Sequence, residues 1–130
     1  MPDAVLCPCG SEQMYMACCG RYLDADAGPL TAEQLMRSRY CAYIQRNSHY
    51  LLHSWSAATR PSALDLRQDD GVKWLGLKIV ATEAGAAEDT DGIVEFVARY
   101  KVNGKAVRLH ERSRFERVDG QWFYVDGIIK

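Results

Sequence analysis

Tyr100-Lys101-Val102-Asn103-Gly104-Lys105-Ala106-Val107 reads as a tight β-hairpin. Asn-Gly between two alternating apolar runs is the strongest short-range hairpin signal, because both residues accept the positive φ of a type I′ turn. Asp119-Gly120 repeats the signal sixteen residues on. The two turns divide the second half of the chain into strands over 92–102, 105–118 and 121–129. A further strand is expected over 74–82, beyond the acidic loop 83–91. A two-residue loop at Asn103-Gly104 pairs Val102 with Lys105, and counting back sets Phe96 opposite Glu111, Val94 opposite Ser113 and Glu95 opposite Arg112. The second turn sets Phe115 opposite Tyr124 and Ser113 opposite Asp126. One sheet face is then apolar but carries Glu111, Ser113 and Asp126. The other carries Arg99, Arg108, His110, Arg112 and Arg114. A bulge would shift this register, and a slip of one residue exchanges the faces.

Upstream of the strands the period is helical. Thr31-Ala32-Glu33-Gln34 is a capping box, with Thr31 at the N-cap and Gln34 at the third position. The helix it opens places Leu35, Met36, Tyr40, Tyr43 and Ile44 on one face. Asn47-Ser48 ends it and caps a shorter helix through Tyr50, Leu51, Leu52 and Trp55. Ser62 to Leu66 is expected to add a helical turn, and Gln68-Asp69-Asp70-Gly71 a reverse turn. Helices first and an antiparallel sheet afterwards is the α+β order.

The N-terminal segment has a different character. Cys7-Pro8-Cys9 and Cys18-Cys19 place two thiol pairs at the ends of a short polar loop. Four thiolates form the closed tetrahedral shell of a structural zinc ion, and Gly10 lets the backbone turn sharply after the first pair. Pairs this close in sequence make poor internal disulfides, and Cys41 would be left over. One structural Zn²⁺ held by Cys7, Cys9, Cys18 and Cys19 is therefore expected. Residues 1–22 are read as a module folded around the metal. Asp24 to Leu30 is read as a linker, and residues 31–130 as the main domain.

Length and composition fit one ordinary domain. The chain has 130 residues, 48% of them hydrophobic and 25% charged, which suffices for a core. A net charge of −1 gives no bulk attraction to nucleic acid or anionic membrane. No apolar run reaches the roughly 20 residues of a membrane span. Met1-Pro2-Asp3 does not open a secretory signal. A cytoplasmic location is the expectation, with no membrane or nucleic-acid partner.

The spacing Cys-x-Cys, eight residues, Cys-Cys, with Gly10-Ser11 and Gly20 after the pairs, resembles the SEC-C zinc motif of the SecA translocation ATPase. There the last ligand is His, where this chain has Cys19. The whole chain resembles the YchJ family. The resemblance rests on Cys7-Pro8-Cys9-Gly10-Ser11, Leu35-Met36-Arg37-Ser38-Arg39-Tyr40-Cys41-Ala42-Tyr43, Trp74-Leu75-Gly76-Leu77, Val94-Glu95-Phe96-Val97-Ala98-Arg99-Tyr100, Glu111-Arg112-Ser113-Arg114-Phe115 and Trp122-Phe123-Tyr124-Val125-Asp126-Gly127. It implies an NTF2-like cone, in which helices cover the concave face of a curved sheet, behind an N-terminal SEC-C module. It implies no particular activity.

Two function classes follow. In the first, the zinc module docks a protein partner and the chain is an adaptor, not an enzyme. The loop Glu12-Gln13-Met14-Tyr15-Met16-Ala17 has no lysine with which to grip RNA. Its Met and Tyr side chains suit either a protein partner or contact with the main domain. In the second, the cone is the pocket of an isomerase or dehydratase of a small polar substrate. Arg37, Arg39, Trp55, Glu111, Ser113, Tyr124 and Asp126 are its candidate lining. No residue set is assigned to catalysis, although Glu111 and Asp126 are candidates for a general base. The structural alternative, favoured here, is a buried bridge from Glu111 to Arg37 or Arg39. His110 is read as a surface residue, His49 and His53 as surface neighbours, and Cys41 as a buried thiol.

Overall fold

The structure, a computed structural model, describes residues 5–25, 27–64 and 71–130. The expected reverse turn at Gln68-Asp70, the end of the expected helical turn at Asp65-Leu66, Asp26 of the linker and the first four residues of the module lie outside them. The chain runs through a short 3₁₀ turn (Tyr15–Ala17), α1 (Gly20–Leu23), α2 (Ala32–Ile44), α3 (Ser48–His53), β1 (Val72–Ala84), β2 (Asp91–Val102), β3 (Lys105–Val118) and β4 (Gln121–Ile129). The strands form one antiparallel sheet in sequence order. Both hairpin turns have positive φ at their two central residues: 50° and 86° at Asn103-Gly104, 52° and 79° at Asp119-Gly120. Local chemistry alone therefore closes these hairpins.

Helix α2 begins as its caps dictate. Thr31 Oγ1 accepts from the Gln34 N–H at 3.1 Å, and Gln34 Oε1 reaches back to the Leu30 N–H at 2.7 Å. Asn47 caps α3 through the Tyr50 N–H at 3.0 Å. Leu35, Met36 and Tyr40 of α2 pack on Val94, Phe96, Ala98, Phe115 and Trp122 of the sheet. The same core cluster takes in Cys7, Cys9, Cys18 and Cys19.

The β2–β3 register is as the Asn103-Gly104 turn requires, with Phe96 opposite Glu111 and Val94 opposite Ser113. The β3–β4 register is not. Phe115 faces Tyr124, but Arg114 faces Asp126 and Ser113 faces Gly127. Val125 is an extra residue, a bulge that rotates everything after it. Its setting explains it. β4 is the outer strand, and the segment after α3 docks along it. Tyr124 N donates to Ser54 O at 2.8 Å, Ser56 N donates to Tyr124 O at 2.7 Å, and Thr59 Oγ1 donates to Val125 O at 2.6 Å. β1 has two further irregularities, at Leu75 and Val80, and both side chains are exposed. Bulges of this kind bend a sheet.

Candidate metal centre and cavity

The four expected ligands come together. The Sγ atoms of Cys7, Cys9, Cys18 and Cys19 lie within 4.8 Å of one another, all buried. Cys9 and Cys18 are 3.7 Å apart, Cys18 and Cys19 4.0 Å. Four sulfurs each 2.3 Å from a tetrahedral zinc ion would be about 3.8 Å apart, so the donor set and spacing fit that ion. No other group of three or more metal-ligating side chains occurs among the described residues. His49 and His53 only stack on each other, ring centroids 6.0 Å apart.

Backbone and helix hold this centre in place. Cys7 N donates to Gln13 O at 2.8 Å and Tyr15 N to Val5 O at 2.9 Å, which closes the loop on itself. Gly10 turns with φ +83°, and a Cβ there would lie 2.9 Å from the Leu77 carbonyl of β1. Glycine is thus required both by the turn and by the approach of loop to sheet. Arg37 of α2 donates through Nη1 to Cys9 O at 2.8 Å. Cys41, one turn further along α2, places its Sγ 3.6 Å from that of Cys7. It is the buried thiol expected, but spacing along the chain gave no sign that it would lie against the ligands. Tyr15 turns inward, its hydroxyl accepting from Gln45 Nε2 at 2.7 Å, and burial pushes its phenol up to about 12. Val5, Leu6, Met14 and Met16 of the same loop are exposed, with Leu6 and Met14 bridged side by side.

Between α2 and the sheet lies a cavity of about 260 Å³. Arg39, Glu111, Ser113 and Tyr124 of the candidate lining residues lie on its wall. Met36, Tyr40, Tyr43, Trp74, Phe96, Ala98 and Leu109 complete the wall. Three expected members do not. Arg37 is about 200° around the helix from Arg39, since each residue turns about 100°. It bonds Glu33 at 3.0 Å instead. Trp55 lies behind the wall, edge-on to Tyr124 with centroids 5.1 Å apart. Asp126, turned over by the bulge, is on the face away from the cavity, where Arg114 holds it through Nε at 2.6 Å and Nη2 at 2.7 Å. That contact lowers the Asp126 pKa. His110 is on the same face and pairs with Glu95 at 2.6 Å.

The expected bridge from Glu111 to arginine is absent among the described residues. Glu111 Oε2 accepts from Ser113 Oγ at 2.7 Å and from the Tyr124 hydroxyl at 3.2 Å. Burial, then the neighbouring Glu111 charge, pushes the Tyr124 phenol up. Arg39 spends Nη1 on α3, donating to Leu51 O and Ser54 Oγ at 2.8 Å each. Its guanidinium lies over the rings of Tyr124 and Trp55, 4.6 and 5.0 Å from their centroids. Burial lowers its pKa.

Gly127 makes room for the Glu111 carboxylate. A Cβ at Gly127 would overlap Glu111 Oε2. Gly127→Ala should therefore expel the carboxylate from its place and lower stability by about 1–3 kcal/mol, as overpacking does. Glu111→Gln keeps an acceptor oxygen for Ser113 and Tyr124 and should cost no more than about 1 kcal/mol. Denaturant melts of the two variants check this. A loss of several kcal/mol in Glu111→Gln would restore the buried bridge.

Comparison with known proteins places these features together. The family model described as YchJ, middle NTF2-like domain, matches residues 31–127. A UPF0225 protein of Chromobacterium violaceum is 56% identical over 125 residues, 95% of this chain and 92% of its own. One from Streptomyces coelicolor is 52% identical over 121 residues, 93% of each chain. The solution structure of a SEC-C motif containing protein from Rhodopseudomonas palustris superposes with a TM-score of 0.84 at 29% identity, covering 95% of this chain and 98% of that one. A crystal structure of another, from Psychrobacter arcticus, gives a TM-score of 0.73 at 25% identity, over 100% and 86%. With its SEC-C cysteines ahead of an NTF2-like α+β domain, the chain belongs to the YchJ (UPF0225) family.

Proposed function

We propose that this protein is an adaptor: one zinc ion held by Cys7, Cys9, Cys18 and Cys19 shapes a docking surface for a protein partner. The observation that carries the reading is the division of labour within the loop. Tyr15 is committed to contact with α2, while Val5, Leu6, Met14 and Met16 remain exposed on the metal-binding side. Exposed apolar groups clustered on a small element mark an interaction site, and methionine adapts to a partner's shape. No lysine or arginine lies between Cys7 and Cys18 to favour a polyanion.

The test is a pull-down with full-length wild type and with a Leu6→Glu/Met16→Glu variant, each first assayed for metal. Both should carry one zinc equivalent and melt alike. Only wild type should retain a partner that co-elutes stoichiometrically. A partner held equally by both would overturn the docking surface, and a metal content other than one zinc would overturn the centre.

A second reading has Glu111 as the general base of an isomerase or dehydratase. It is favoured by one observation: Glu111 lines the cavity with both hydrogen bonds on Oε2 and no arginine at ion-pair distance among the described residues. Deuterium exchange next to the carbonyl of small ketones, catalysed by wild type and lost in Glu111→Gln, would support it. Exchange by neither protein would remove it.

A further inference from the structure

Arg39 is a buried cation with no carboxylate at ion-pair distance among the described residues; the Glu111 charge acts on it from further off. It is 3% exposed. Both its hydrogen bonds leave through Nη1, so Nε and Nη2 have no acceptor. Those two nitrogens form one edge of the planar fork, the edge that grips a carboxylate side-on. Arg114 uses that same edge to hold Asp126. Trp55 Nε1 is the sealed side-chain polar atom without a partner among the described residues. Arg39 lines the cavity, and its unbonded edge is not among the sealed, unpartnered atoms.

The rest of the wall narrows the ligand. Trp74 lies against Tyr40 and Tyr43, with centroids 5.6 and 5.9 Å away, so one side is aromatic and suits a flat apolar body. Glu111 contributes an acceptor and a negative charge, which disfavours a doubly charged anion such as phosphate and favours a ligand that also carries a donor. A cavity of about 150 Å³ holds benzene, so about 260 Å³ has room for a ring with a short acid chain.

We infer that the cavity binds a small monocarboxylic acid with a flat apolar body: its carboxylate on the Nε/Nη2 edge of Arg39, its body against Trp74 and Tyr40, and a hydroxyl or amine donor on Glu111. This is independent of the docking surface, which lies on the metal-binding loop. It holds whether the bound acid is a substrate or a regulator of docking.

The experiment titrates the zinc-loaded, full-length wild type with three probes of one shape, following the indole signal of Trp74 by NMR. The probes are 4-hydroxyphenylacetate, its neutral amide and tyramine. The acid should saturate the Trp74 shift and bind about tenfold or more tighter than the amide, since losing the charge leaves the buried fork unpaired. Tyramine, which either brings a cation to Arg39 or turns it to Glu111 and leaves the fork empty, should bind more weakly than the acid. Arg39→Lys keeps a charge but not the fork, and should lose the preference for acid over amide. The wild-type comparison stands whatever that variant does to the fold. Equal affinity for acid and amide, tighter binding of tyramine, or no shift of Trp74 with any probe at millimolar concentration would overturn the inference.

Discussion

Stripping the metal from Cys7, Cys9, Cys18 and Cys19 should lower the melting temperature of the whole protein, not only loosen the segment that carries them. By sequence this segment is a separable module, and chelation is expected to melt it alone. The packing argues otherwise. The cysteines share one core cluster with Leu35, Met36 and Tyr40 of α2 and with the sheet. Arg37 is tied to Cys9 O, Cys41 lies against Cys7, and Gly10 meets the Leu77 carbonyl. A ligand present at a thousand times its dissociation constant stabilises the folded state by about 4 kcal/mol. For a chain of this size that corresponds to a drop of roughly 10–20 °C on removal. Calorimetry with and without chelator measures it, and amide spectra should show the signals of α2 moving with those of the loop. An unmoved melting temperature, with α2 and sheet signals unchanged, would return the segment to the status of a separate module.

Trp122→Ala should be among the most damaging single substitutions. Among the described residues Trp122 is the largest fully buried side chain, 2% exposed. It fills the space between β4 and the start of α2, and its Nε1 donates to Leu30 O at 3.1 Å. Truncating a buried aromatic to alanine costs about 3–5 kcal/mol, and the lost hydrogen bond to the Leu30 carbonyl adds about 0.5–1.5 kcal/mol. Trp122→Phe refills most of the space but not the hydrogen bond, so its loss should be well under half as large. Urea melts of the two variants separate the packing from the hydrogen bond. If Trp122→Ala unfolded at the wild-type urea concentration, the closure of linker onto sheet would have been misjudged.

The parts of this protein legible in its sequence are those governed by neighbours along the chain. Asn103-Gly104 and Asp119-Gly120 close hairpins because their own φ preferences require it, and the β2–β3 register follows by counting. Thr31 and Asn47 start helices through bonds three residues long. The cysteine pairs announce a cluster able to hold a metal because ligand chemistry and loop spacing suffice. The parts that were not legible depend on groups far apart in sequence. Nothing near Val125 announces a bulge. It accompanies the docking of Ser54, Ser56 and Thr59 along the outer strand, and it removed Asp126 from the cavity and brought Gly127 under Glu111. The choice of Arg39 over Arg37 for the cavity followed from the angle at which α2 lies on the sheet. Cys41 met the cysteine cluster for the same reason. Local conformational preference and ligand chemistry thus determined the strands, the caps and the four cysteines. Long-range packing alone decided which polar side chains face the cavity, because a bulge of one residue or a helix rotation of two exchanges inside for outside.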